Sequence, residues 1–593
     1  QAPGDNYTLL VFGDMHLANR TNDVEQFTKV AADINNRVDA TPGKVYVLTL
    51  GDMTWEMYWL DNNYGFVEYK NTINNTLRNV TMFHTMGNHD NEMEVGGDWA
   101  KSLKFTQNLA PDYYSFNIGK CHYIVMDNMD YEGISAGHDY RSDYARNYTA
   151  SQLAWLKKDL EFVDKSTPIF VTSHEPLSDP DGTGWDGELN GKDADLNEFI
   201  SIFEGYDVRF LSGHTHNIYH RTYNQNFKEH NSGAVCASWW WSGYMTPGIH
   251  IAQDGTPGGY TVWTINGTER THYYQAALQS SDYQFRAYDM NKVKEVINAD
   301  ASSHSTYQNK YLKHIQDYDE NMILVNVWDY DEDWTISISE NGTPLQVKEV
   351  GDRYDPLHIV AMTIPRMNKQ NTETFSTCKW CHFFEAKASS ADSPVTVTVT
   401  DRNGKVYTEE MIRPKAFTVD DYKNEVVRTK PQAEFKTAST SSLVFGWTTG
   451  GTAAEDAEVP YKIALYKDAS CTELVQSFEI PEGHSAWEGK SLKFAFGGLE
   501  PSTTYYFTVT NQQNGDSSEV VSGTTKAFTV VDPSTVTNAT AGTVLLAEDF
   551  GIIGWGNDQI AGAIGFIPDN KEVGIISGID ATTAGCGATT GVG

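Results

Sequence analysis

Five short β-branched runs, each leading directly into residues able to ligate a metal, constrain this chain more than any other feature of its sequence. YTLLVF ends at Phe12 before Gly13-Asp14-Met15-His16, VYVLTL ends at Leu50 before Gly51-Asp52, and TMFHTM ends at Met86 before Gly87-Asn88-His89-Asp90. PIFVTS ends at Ser173 before His174, and VRFLSG ends at Gly213 before His214-Thr215-His216. Between the runs, Asn22 to Asn36 places Val24, Phe27, Val30, Ala31 and Ile34 at helical spacing, and Ser151 to Phe162 does the same with Leu153, Leu156 and Leu160. Strands alternating with amphipathic helices predict an α/β domain. Ligands at the ends of successive strands converge on one edge of such a sheet, where open α/β folds place their sites. The glycines let the backbone turn sharply just before the ligand.

The donors are oxygen and imidazole without thiolate, a set that suits Mn, Zn, Fe or Ni better than a structural Cys-type zinc site. The candidates are Asp14, His16, Asp52, Asn88, His174, His214 and His216, too many for one tetrahedral ion. Two ions sharing a bridging carboxylate would use them all. Such a pair, about 3.5–4 Å apart, is a device for hydrolysing phosphate esters: one ion polarises the phosphoryl oxygens, and a metal-bound hydroxide is the nucleophile.

D-x-H, G-D, G-N-H-D, H and G-H-x-H in this order resemble the signature of the calcineurin-like metallophosphoesterases, over roughly residues 7 to 270. The resemblance implies a four-layer α/β/β/α sandwich followed by all-β accessory domains, and two divalent or trivalent transition metal ions. By position, it makes Asp14, His16 and His216 ligands of the first ion, Asp52 the bridge, and Asn88, His174 and His214 ligands of the second. It makes His89 the general acid or a transition-state stabiliser, with Asp90 orienting its ring. Ser238 to Gly243 and Asp254 to Tyr260 are similar to segments of a bacterial, Bacteroidetes-type secreted group. YQFRAYDMN (Tyr283 to Asn291), the Trp334 strand and Asp355 to His358 are similar to that group's calcineurin-associated C-terminal domain. This implies a secreted, periplasmic or cell-surface location. The pattern departs from the family three residues after the bridge, where an acidic residue is usual and Trp55 stands here. The tyrosine of a purple iron site is also missing.

The remaining chain reads as β-rich modules. We expect a catalytic domain at 1–270, a separate all-β C-terminal domain at 271–425, a fibronectin type III-like sandwich at 430–531, and the start of a further β-domain at 537–593. Met322 to Tyr330, Trp334 to Ser339 and Val395 to Thr400 alternate as strands do, between Asn-Gly turns. Leu499, Pro501, Thr503 and Tyr505 resemble the tyrosine-corner region of a fibronectin type III sandwich. Cys378 and Cys381 have the spacing of half a zinc site, yet no second pair answers them, so a packing pair or local disulfide is expected. The chain begins at Gln1 rather than Met, and processing or trimming at its start is expected.

Asp and Glu number 79 against 44 Lys and Arg, so the net charge of −35 has the wrong sign for gripping a long nucleic acid. No run of apolar residues reaches membrane-spanning length. The expected substrate is a small-molecule, glycan or lipid phosphate ester, either mono- or diester. Aromatic clusters follow the bridging Asp52 and the last ligand pair, so Trp55, Trp59 and Trp240, together with Asn217 and His230, are the candidate substrate-binding residues. The rival reading is a surface adhesion or glycan-binding protein that keeps the fold as a scaffold and attaches through its C-terminal β modules.

Overall fold

The computed structural model describes residues 4–20, 22–78, 80–136, 143–178, 193–423, 431–449, 459–481, 492–513 and 515–527. The expected module at 537–593 lies outside the described residues. The chain divides into two compact units between Asn424 and Glu425.

The first unit opens with two stacked sheets. In one the order is β13 (Glu269–Ala276), β12 (Gly259–Asn266), β1 (Asn6–Phe12), β2 (Val45–Thr49) and β3 (Thr81–Phe83). In the other it is β10 (Tyr219–Asn224), β11 (Phe227–Asn231), β9 (Val208–Ser212), β8 (Ile169–Thr172), β5 (Cys121–Val125) and β4 (Tyr114–Ile118). A two-stranded ribbon pairs β6 (Met129–Asp130) with β7 (Ala145–Arg146). The centres of both sheets are parallel: β1 to β2 to β3, and β5 to β8 to β9 to β11.

Strand alternation builds the layers. On β1, Leu10 and Phe12 pack with Phe27, Val30 and Ile34 of the helix Asp23–Ala40, with Tyr69 of Phe66–Thr76 and with Phe105 of Asp98–Asn108. Leu9 and Val11 turn the other way and meet Tyr123, Phe170 and Leu211 of the second sheet. The outer face of that sheet is covered by Leu156 and Leu160 of Ala150–Leu160 and by Phe199 of Asp193–Ile202. The result is the expected α/β/β/α sandwich. Thr149 caps the Ala150–Leu160 helix by accepting the Gln152 N–H at 3.3 Å.

Residues 271–423 continue the same unit. One sheet runs β14 (Phe285–Asp289), β15 (Met322–Val327), β19 (Phe383–Lys387), β18 (Lys348–Val350). The other runs β17 (Thr343–Pro344), β16 (Thr335–Glu340), β20 (Val395–Thr400), β21 (Val406–Met411). Ala287, Val325, Ile338 and Val397 join them in one core. The sequence reading of this stretch as all-β missed its helical segments at Met290–Val296, 307–316 and 356–370, which bury Val293, Tyr311 and Leu357 against Tyr288 and Leu324. Cys378 and Cys381 are free thiols, so they form no disulfide.

In the second unit, β22 (Gln432–Ala438), β23 (Leu443–Thr448) and β26 (Leu492–Phe496) form one sheet. The other runs β25 (Leu474–Ile480), β24 (Tyr461–Tyr466), β27 (Thr504–Asn511), β28 (Val521–Thr524). Phe445 stacks on Phe507 across the two sheets at 4.7 Å, and Tyr505 Oη accepts the Glu500 N–H at 3.0 Å. Among the described residues, no helix is long and apolar enough to cross a membrane.

Candidate metal centre

All seven sequence-selected donors meet at the carboxyl ends of β1, β2, β8 and β9 and the loop after β3. Asp14, His16, Asp52, His214 and His216 adopt left-handed backbone conformations, with φ of 32, 43, 53, 66 and 60°. Such conformations cost energy for residues other than glycine and concentrate at functional sites. Gly51, at φ 101°, lets the chain turn between β2 and Asp52, and a Cβ there would lie 2.3 Å from His174 Nδ1.

Two groups of donors share Asp52. In the first, His16 Nε2 lies 3.1 Å from His216 Nε2 and 3.5 Å from Asp52 Oδ2, and His216 Nε2 lies 3.4 Å from Asp14 Oδ1. In the second, His174 Nε2 is 3.4 Å from Asp52 Oδ2, 2.9 Å from Asn88 Oδ1 and 3.1 Å from His214 Nδ1, which is itself 3.1 Å from Asn88 Oδ1. Outer contacts fix which ring nitrogen points inward. His174 Nδ1 donates to the Leu50 carbonyl at 2.8 Å, and His216 Nδ1 donates to the Ala237 carbonyl at 3.1 Å. Their Nε2 lone pairs therefore face the centre, the arrangement that metal-ligating histidines use. The outward Nε2 of His214 faces Glu175 Oε1 at 3.4 Å. Cys236 Sγ lies 3.5 Å from His216 Nδ1, behind the ring rather than in the centre.

Charges balance across the bridge. Burial alone would raise the Asp52 carboxyl, but the imidazoles of His174, His89 and His16 hold it well below the usual carboxylate range. Burial opposes charge on His174, yet the Asp52 carboxylate raises it to about 10, so a metal ion binding there would displace a proton from Nε2 to free its lone pair. The donor set, its inward lone pairs and the shared carboxylate fit two transition metal ions, with Asp14, His16 and His216 on one, Asn88, His174 and His214 on the other, and Asp52 between them.

The His89 dyad differs from expectation. Asp90 does not orient the ring. Its carboxylate accepts from the N–H groups of Met53, Thr54 and Gly87 and from Thr54 Oγ1 at 3.1 to 3.3 Å, tying two ligand loops together. His89 Nδ1 instead meets Glu56 Oε2 at 2.8 Å, and the His89 N–H donates to Asp52 Oδ1 at 2.8 Å. Glu56 therefore supplies the carboxylate on the ring. Burial works against a charged His89 ring, but Glu56 and then Asp52 raise it above the ordinary imidazole range.

Of the five candidate substrate residues, only Trp55 lies against the centre, with its ring 5.1 Å from His16 and 5.4 Å from His89. Trp59 packs on Phe66 and donates to Thr54 Oγ1. Trp240 is fully buried, stacks on His250 and donates to the Met15 carbonyl at 2.8 Å. Asn217 donates to the Thr215 carbonyl and faces Cys378. His230 lies on β11 among His220, His272 and Trp263. Of the tryptophan cluster Trp239 to Trp241 that the sequence places after the last ligand pair, Trp239 is the member that walls the centre, half-buried and stacked on His216 at 3.8 Å and on Phe375 at 4.3 Å. Arg20 joins the wall, its guanidinium 4.5 Å above Trp55 and donating to the Trp239 carbonyl at 2.9 Å. Arg366 sits 4.4 Å above Trp241.

Residues 7–217 match the family model described as Calcineurin-like phosphoesterase, and residues 229–407 match the model described as C terminal of Calcineurin-like phosphoesterase. No curated protein matches the chain. Among solved structures, a dimetal phosphatase from Danio rerio is similar at 14% identity and TM-score 0.31, over 45% of this chain and 98% of its own. The 5'-nucleotidase from Candida albicans is similar at 11% identity and TM-score 0.31, over 60% of this chain and 69% of its own. The FN5 domain of Drosophila Lar is similar at 20% identity and TM-score 0.13, over 17% of this chain and 99% of its own.

Proposed function

We propose that this protein, which carries a calcineurin-like phosphoesterase domain and that family's C-terminal domain, is a two-metal hydrolase of small organic phosphate esters. The observation that carries the reading is the convergence of seven donors on a shared Asp52, with the inward nitrogens of His16 and His216, and of His174 and His214, each 3.1 Å apart. Two ions bound there would supply Lewis acidity toward the phosphoryl oxygens and a water nucleophile at neutral pH. The chain's own residues do the rest. His89, whose charged form Glu56 favours through Nδ1, would give its Nε2 proton to the departing oxygen. The Asn88 side-chain N–H can donate to a phosphoryl oxygen while its Oδ1 faces the second ion's ligands. Trp55, Trp239 and Phe375 offer apolar walls for an organic group, and Arg20 adds positive charge for an anion.

The same proposal takes residues 430–531 as a fibronectin type III-like spacer or binding module. Its three- and four-stranded sheets and the bond from the Glu500 N–H to Tyr505 Oη support this. An extracytoplasmic location belongs to the proposal and rests on the resemblance alone.

The test is hydrolysis of aryl phosphate mono- and diesters by metal-reconstituted wild type beside Asp52→Asn. Turnover that falls by orders of magnitude in the variant supports the reading, and the diester-to-monoester ratio assigns the ester class. Equal turnover in the two proteins sinks it, and a folded chain that binds no metal and hydrolyses neither ester is the scaffold reading.

A further inference from the structure

A second cluster of histidines, outside the catalytic groups, lies at the margin of the sandwich. His220 on edge strand β10 stands directly opposite His230 on β11. His272 comes from β13, the edge strand of the other sheet, where it pairs with Trp263. Asp329 follows β15 closely, with a left-handed φ of 64°. Two sheets and the region after them therefore each send polar side chains to one buried point. His230 and His272 are 2% and 5% exposed, and Asp329 is 2% exposed. Trp263 walls them, with its ring 5.1 Å from His230 and 4.4 Å from His272.

The hydrogen bonding of this cluster is incomplete. His220 Nε2 donates to Asp329 Oδ1 at 2.9 Å, which fixes the tautomer and leaves its Nδ1 as a lone pair. That Nδ1 lies 3.0 Å from His230 Nδ1. His272 Nε2 and Asp329 Oδ2 face each other at 3.7 Å, and neither has a hydrogen-bond partner among the described residues, nor does His230 Nε2. A buried polar atom left in this state is destabilising. One donor atom from each histidine lies within 4.8 Å of the others. The close approach of two ring nitrogens repeats what is seen in the catalytic groups, where His16 and His216, and His174 and His214, face each other at 3.1 Å.

We propose that His220, His230 and His272, with Asp329, form a structural zinc site that clamps the outer edges of both sheets to the segment following β15. Three imidazoles and a carboxylate suit a tetrahedral zinc ion at roughly 2.0–2.2 Å from each donor, and a ligand set without an open position is the mark of a structural site. The carboxylate completes the shell through Oδ2 while its Oδ1 holds His220 in place, as outer carboxylates do for ligating histidines. This inference is independent of the hydrolase reading.

Zinc per chain, measured after stripping and reloading the full-length protein, decides it. Wild type should hold about one equivalent more than folded His272→Asn, and zinc should raise the melting temperature of wild type more than that of the variant. Asp14→Asn/His174→Asn, made to empty the catalytic groups, should retain one zinc that is lost when His272→Asn is added. Asp329→Asn, which preserves volume should His272→Asn fail to fold, should weaken zinc binding by about 10–100-fold. The proposal is overturned by a folded His272→Asn with the zinc content of wild type, by an Asp14→Asn/His174→Asn protein holding no zinc, or by unchanged affinity in Asp329→Asn.

Discussion

Glu56→Gln isolates the dyad on which the proposed leaving-group chemistry depends. The His89 side chain is 12% exposed and that of Glu56 1%, and the 2.8 Å contact from Nδ1 to Oε2 is a charge-assisted hydrogen bond whenever the ring is protonated. Such bonds contribute roughly 1.5–3 kcal/mol. Replacing the carboxylate by a neutral amide removes the largest charge that raises the ring and so lowers the His89 pKa. Asp52 still supports the charge, so the ring keeps part of its elevation. A general acid works only while protonated. Activity is therefore present below the His89 pKa and lost as pH rises through it, and Glu56→Gln should move that loss to lower pH, lowering kcat/KM on the alkaline limb by roughly 10–100-fold. The assay is kcat/KM against pH for metal-loaded wild type and variant, on an ester with an alkyl leaving group and on one with a nitrophenyl leaving group. The alkyl ester should show the larger loss, because its leaving oxygen needs the proton more. An alkaline limb that stays in place while the plateau falls equally for both esters would refute the reasoning and leave Glu56 a packing residue.

Further consequences concern the frame, the wall and the core. A Cβ at Gly87 would lie 2.2 Å from Asp52 Oδ1 and 2.4 Å from the Asp52 backbone nitrogen, so Gly87→Ala should displace the bridge. It should cost about 1–3 kcal/mol in denaturant unfolding and lower metal content measured on the same sample. Trp239→Ala removes the ring stacked between His216 and Phe375. For aryl esters it should raise KM by roughly 2–10-fold with a smaller change in kcat, in keeping with aromatic contacts of about 0.5–1.5 kcal/mol. Arg413 and Asp289 form an ion pair with fully buried side chains and a 3.2 Å contact, so Arg413→Ala strands a carboxylate in the core. It should cost about 3–5 kcal/mol, read from the shift in unfolding midpoint.

The convergence of the candidate donors was legible because each is set by local chemistry: a β-branched run, a small residue where the backbone closes on a neighbour, then the candidate donor. What surrounds them depends on side-chain direction after the chain has folded. Three consecutive tryptophans illustrate this, since Trp239 stacks on a ligand, Trp240 points into the core and Trp241 meets Arg366. Glu56 rather than the expected Asp90 reaches the His89 ring because a short helical turn at Glu56–Tyr58 follows Trp55 and brings the next side chain to it. His220, His230 and His272 have no motif spacing, and only the pairing of β10 with β11 and the stacking of the two sheets brings them together. The helices at 290–296 and 307–316 escaped because they are short, and the segment at 356–370 because its unbroken apolar run Ile359 to Met362 and its internal Pro365 hide the helical period.

The most direct test of a two-metal centre is anomalous diffraction from crystals of the full chain loaded with manganese or zinc. The account predicts two peaks about 3.5–4 Å apart on either side of Asp52, one next to His16 and His216 and the other next to His174 and His214. A single peak there, or density that leaves Asp52 in contact with only one ion, would contradict it.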